Sequence, residues 1–96
     1  MAQLLTPDEV AAALQAVGDW TRDGDSITRD LSLSDFAAAI AFVNQVAGVS
    51  ESLDHHPDIL VHGWNNVRLT VTSHSEGGLT SKDFELAAAV DALPTT

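Results

Sequence analysis

Two adjacent histidines interrupt the stretch LDHHPDI at residues 53–59, in a chain with four histidines in all: His55, His56, His62 and His74. Imidazole titrates at about pH 6.5 and can give or take a proton near neutrality. The pair can therefore ligate metal, transfer protons or simply be solvated. Pro57 restricts His56 to an extended backbone, and successive extended residues point their side chains to opposite sides. That divergence disfavours joint ligation of one ion by His55 and His56. A zinc site would also need ligands from His62, His74 or the carboxylates, and no HExxH- or HxxxH-type spacing is present. The sequence predicts no metal.

His74 closes the alternating run NVRLTVTSH, where Val67, Leu69 and Val71 share one face and Arg68, Thr70, Thr72 and His74 the other. A histidine at a strand's end, before the turn-forming SEGG, can line a cleft at the sheet edge; taken alone, it can equally be a solvated terminus. Asp83, in LTSKD, occupies the third helical position after Thr80, where a carboxylate caps a helix. It also begins the stripe continued by Leu86 and Val90, so it can face inward and orient an imidazole. Trp20 and Trp64 read as core residues, Glu51 as a helix-end acid and Asp54 as a turn former. Together, the polar residues predict a cleft with several histidines, suited to acid–base work.

The elements that position these residues follow from punctuation and periodicity. TPDE is a capping box at Thr6, opening a helix from Pro7 to about Val17 that Gly18 ends. DWTRDGDSITRDLSLS reads as a hairpin turning at RDGD, with Trp20, Ile27, Leu31 and Leu33 inward. Ser34 caps a second helix through about Val49, with Phe36, Ile40, Val43 and Ala47 as its stripe and Ala37, Ala38, Ala39 and Ala41 as a smooth second face. The run ILVH and the strand ending at His74 make a second β pair. Thr80 caps a last helix through about Leu93, with Leu86, Ala87, Val90 and Leu93 inward. The order α-β-β-α-β-β-α predicts an α+β fold, a four-stranded antiparallel sheet with helices on one face.

Composition narrows the function. Ninety-six residues make one domain, residues 1–96, with no linker or repeat. A chain this short buries only roughly 60–65% of its unfolded surface, so self-association would help it. No cysteine is present, which excludes disulfides, thiolate metal sites and a cysteine nucleophile. The opening MAQLLTPDEV lacks a secretory signal, and no stretch reaches the ~20 apolar residues of a membrane span. A cytoplasmic location is the expectation. The formal net charge of −10 repels phosphate backbones and anionic lipid, so neither nucleic acid nor membrane is an expected partner.

Three segments together carry a family resemblance. ESLDHHPD, then WNNVRLTVTSH, then GGLTSKDFELA resembles the pterin-4a-carbinolamine dehydratases: an acid four residues before His-His-Pro, an aromatic, a β run ending in a hydroxyl residue and histidine, and a Leu-Ser/Thr-x-x-Asp helix start. Trp20 and Phe36 match the family upstream. Two departures stand out. The interval from Pro57 to Trp64 is one residue longer, with His62-Gly63 inside it, and Ser73 replaces the usual threonine before His74.

The resemblance implies a small α+β domain that forms homodimers or homotetramers. It also implies loss of water from a 4a-hydroxytetrahydropterin to give the quinonoid dihydropterin, without metal or organic cofactor. It carries the active site onto His55, His56, Pro57 and His74, with Asp83, Trp20 and Ser73 around them. In that reading His55 and His74 are the acid–base pair and His56 orients the pterin. Asp83 fixes an imidazole tautomer, Pro57 shapes the loop, and Trp20 and Ser73 contact substrate. His62 lies outside the pattern. The alternatives are a protein-binding dimerisation or coactivator module, and a related protein handling folate or a molybdopterin precursor.

Overall fold

The computed structural model describes residues 3–95, arranged as one antiparallel sheet with three helices on one face. The expected element order is present throughout.

Helix α1 (Pro7–Ala16) begins as TPDE dictates. The Thr6 N–H donates to Glu9 Oε1 at 2.8 Å and the Glu9 N–H donates to Thr6 Oγ1 at 3.2 Å. It ends on Val17, whose N–H bonds back to the Leu14 carbonyl, and Gly18 adopts no left-handed conformation. The hairpin of β1 (Thr21–Asp23) and β2 (Ser26–Ser32) pairs Asp23 with Ser26. Its two-residue loop, Gly24-Asp25, needs the positive φ of 61° that glycine supplies.

Helix α2 (Phe36–Leu53) departs from expectation in three ways. Its cap is Asp35 rather than Ser34, with Asp35 Oδ1 accepting from the Ala38 N–H at 2.7 Å. It runs past Val49 to Leu53, where Asp54 takes a left-handed conformation at φ 52° and ends it. Its buried stripe is Ala39, Phe42, Val46 and Ser50, so Phe36, at 54% exposure, and Ile40 face outward. Both faces of this helix are apolar, so periodicity alone allowed two rotations. By length and composition α2 could also cross a membrane, yet its buried stripe belongs to the core.

Strands β3 (Asp58–His62) and β4 (Asn66–Val71) complete the order β1-β2-β4-β3. Val67, Leu69 and Val71 are fully buried, as their alternation requires, and meet Ile27, Phe42, Val46, Leu86 and Val90 in one cluster. Each such side chain contributes about 1.5–3 kcal/mol on leaving water. β4 stops at Val71, three residues before His74. Ser73 bridges to Gly78, and His74–Glu76 form a 3₁₀ turn closed by Gly77 at φ 77°. Helix α3 (Ser81–Asp91) is capped by Thr80 and Asp83 and buries Leu86, Ala87 and Val90. The C-terminal end of α2, the turn after β4 and the N-terminus of α3 meet at one end of the fold.

Candidate active site

These three segments enclose an open cavity of about 340 Å³, within the range typical of small-molecule sites. The end of α2 contributes Asp54, His55 and His56, the turn after β4 contributes residues 72–76, and α3 contributes Lys82. Three of the four histidines therefore share one hollow. His62 does not: it borders a separate depression of about 180 Å³ beside Asn66 and Arg68.

His55 is delivered by the left-handed Asp54, after which its backbone N–H bonds to the Ser50 carbonyl at 3.1 Å. An aspartate tolerates this conformation better than most residues, so the reading of Asp54 as a turn former agrees with its place. The His55 ring is 13% exposed, and its Nε2 lies 2.7 Å from Oδ1 of Asp83, which is fully buried. The second carboxylate oxygen, Oδ2, accepts the Thr80 N–H at 2.8 Å and the Ser73 hydroxyl at 2.9 Å. Asp83 is thus both the helix cap and the partner of an imidazole, and the two readings of it are one arrangement.

A carboxylate only accepts hydrogen bonds, so His55 Nε2 carries the proton. Its Nδ1 is left to exchange one. His56 also borders the cavity, but its ring is largely exposed, with Nε2 3.5 Å from Glu51 Oε1. His74 stands exposed on the 3₁₀ turn.

Of the three expected substrate contacts, Ser73 borders the cavity and Trp20 and Pro57 do not. Trp20 is buried in the core away from the cavity, its Nε1–H donating to Asp91 Oδ1 at 2.8 Å. Asp91 also accepts from Arg29 Nη1 at 2.6 Å, tying β2 to the end of α3. Pro57 follows the two histidines that border the cavity but does not line it. Ser73 borders the hollow, but it is buried and its hydroxyl is engaged by Asp83 and Thr80. Conversely, Thr72, Ser75, Glu76 and Lys82 line the cavity and went unremarked in the sequence as site residues. Ser75 and Glu76 lie in a stretch that signals only a turn, whereas Lys82 is the sole lysine, the one signal that could have marked it. Among the described residues, no group of three or more His, Cys, Asp or Glu converges as metal ligands.

Comparison with known proteins gives a consistent picture. The family model described as pterin 4 alpha carbinolamine dehydratase matches residues 3–93. A protein of Nocardia farcinica (strain IFM 10152), provisionally named pterin-4-alpha-carbinolamine dehydratase, is 46% identical over 91 residues, covering 95% of each chain. A similarly named protein of Gloeobacter violaceus is 48% identical over 90 residues, covering 90% of this chain and 97% of its own. The crystal structure of a transcriptional coactivator/pterin dehydratase from Brucella melitensis superimposes with a TM-score of 0.86 at 37% identity, covering 92% of this chain and 95% of that one. A pterin dehydratase-like protein described as a RuBisCO assembly factor shares the fold, with a TM-score of 0.60 at 24% identity over 76% of this chain.

Proposed function

Because the chain belongs to the pterin-4a-carbinolamine dehydratase family, we propose that it dehydrates a 4a-hydroxytetrahydropterin by histidine acid–base catalysis, as a step in pterin recycling. The observation that carries this reading is the 2.7 Å contact of His55 Nε2 with buried Asp83, in a cavity shared with His56 and His74.

In the reaction the C4a–O bond breaks, N5 loses its proton, a C4a=N5 double bond forms and water departs. Hydroxide is a poor leaving group, so the 4a-oxygen must be protonated as N5 is deprotonated. Each well-placed group contributes about 10²–10⁴ in rate. Asp83 stabilises the imidazolium that His55 becomes on taking a proton, which favours His55, through Nδ1, as the base at N5. His74, on the separate turn after β4, serves as the acid at the 4a-oxygen. His56 orients the pterin. The residues' part in this elimination is proton transfer, which calls for no metal or organic cofactor.

Self-association is part of the proposal. The outward stripe of α2, with Phe36 and Ile40, offers apolar surface for a second copy. The same stripe supports a second reading as a protein-binding module, in keeping with the coactivator name borne by the Brucella protein. Partner binding through it would survive His74→Ala, whereas dehydration would not.

The test is stopped-flow absorbance with freshly generated 4a-hydroxytetrahydropterin. Acceleration over buffer by the wild type and its loss in folded His74→Ala establishes the reaction and the role of His74. No acceleration by folded wild type overturns the proposal.

A further inference from the structure

Ser73 and Thr80 are buried hydroxyl residues that the reaction itself does not use. Ser73 Oγ lies 2.9 Å from Asp83 Oδ2 and 2.8 Å from Thr80 Oγ1. The proton inventory has one consistent solution. As a carboxylate, Asp83 accepts, so Ser73 donates its single hydroxyl proton to it; Ser73 Oγ then accepts from Thr80. The Thr80 oxygen in turn accepts the Lys82 N–H at 3.2 Å.

The Ser73 backbone is equally constrained. Its N–H bonds to the Gly78 carbonyl at 3.1 Å, and its own carbonyl accepts from Glu76, Gly77 and Gly78. Ser73 is therefore the root of the turn that presents His74. One carboxylate thus holds His55 by its ring and, through Ser73, the segment that carries His74.

We propose that Ser73 is a positioning residue, acting through Asp83 to hold His55 in the Nε2–H tautomer and to fix the turn bearing His74 relative to it. The inference rests on the acid–base reading of the cavity, but it also predicts something about the unliganded protein. A hydroxyl at position 73 donates; a methyl cannot. Without that donor Asp83 keeps only the Thr80 N–H on Oδ2 and turns more freely, and the His55 ring loses its fixed partner.

The test combines kinetics with the imidazole ¹⁵N spectrum of the unliganded protein. Ser73→Ala should lower kcat about 10–100-fold, the usual loss when a histidine's orienting partner is disturbed, with KM within about twofold. The His55 ¹⁵N shifts should move from a fixed Nε2–H pattern towards a tautomer mixture, and Ser73→Thr should restore both readouts. If Ser73→Ala does not fold, Ser73→Cys, with its weaker donor, should give the same changes at smaller amplitude. An unchanged His55 tautomer in the folded variant overturns the proposal whatever the rate does. So does a loss confined to KM, which would make Ser73 a substrate contact. If no variant, nor wild type, turns over the pterin, the tautomer shift still decides the positioning role while the dehydratase reading fails.

Discussion

His55 Nε2 and Asp83 Oδ1 stand 2.7 Å apart although 28 residues separate them in the chain, and the carboxylate is wholly buried. Helix α3 supplies the carboxylate as its own cap, and α2 supplies the imidazole just past its end. The pair thus depends on two helix termini meeting. A buried carboxylate is tolerated only when its oxygens are satisfied, and here Thr80, Ser73 and His55 satisfy them.

Asp83→Asn tests that relationship. The amide oxygen can still accept from Ser73 and Thr80, which turns the NH₂ towards His55. His55 must then accept at Nε2 and carry its proton on Nδ1, the wrong tautomer for taking one there. We expect kcat to fall by about 10²–10⁴ with the fold kept, measured by stopped-flow turnover beside circular dichroism. Near-wild-type turnover would remove Asp83 from the catalytic arrangement.

The histidines should separate by place. His55→Ala and His74→Ala should each lower kcat/KM at least about tenfold, a loss of roughly 1.4 kcal/mol of transition-state stabilisation or more. His62→Ala should leave turnover within about twofold, because His62 borders a different depression beside Asn66 and Arg68. If His62 proves the most damaging position, the longer segment between Pro57 and Trp64 has brought it into the reaction.

Trp20 should matter for stability rather than turnover. Its indole N–H and the Arg29 guanidinium share Asp91 Oδ1, at 2.8 and 2.6 Å. Asp91→Ala leaves the buried indole donor unpartnered and the largely covered Arg29 guanidinium with only the 3.7 Å contact to exposed Asp19, at about 2–3 kcal/mol. A melting temperature lower by roughly 4–8 °C per kcal/mol should report it. Trp20→Phe should destabilise by about 1–2 kcal/mol while kcat/KM stays within twofold. A large rise in KM would restore Trp20 to the substrate site.

Much of this arrangement was legible in the sequence because several signals agreed. The capping boxes at Thr6 and Thr80, the turn at Gly24 and the alternation of Val67, Leu69 and Val71 each had one solution, and the fold follows them. Asp83 was legible because cap position and inward stripe coincided. Ser73 could have been read as well: it continues the inward parity of residues 67, 69 and 71, which marks a buried hydroxyl. The residues alone placed Trp20 in the core; only the family resemblance moved it to the cleft. The rotation of α2 was not legible. Phe36 and Ile40 make as good a stripe as Phe42 and Val46, and Ser50 disguised the true one. Its polar Oγ is satisfied by the Val46 carbonyl at 2.7 Å, which makes its burial tolerable.

That rotation yields a contrast between two phenylalanines of one helix. Phe42 is 2% exposed and Phe36 is 54% exposed. Phe42→Ala should lower unfolding free energy by about 3–5 kcal/mol, since it removes a large buried ring and leaves a cavity. Phe36→Ala should change it by less than about 1 kcal/mol in dilute protein, where the outward stripe faces water. Denaturant unfolding at low protein concentration makes the comparison. Sedimentation at higher concentration then asks whether the outward stripe holds a second copy, in which case Phe36→Ala lowers the associated mass and Phe42→Ala acts through folding instead. A larger loss of stability for Phe36→Ala than for Phe42→Ala in dilute protein would mean that α2 packs on its other face, which would also move the end of the helix that delivers His55.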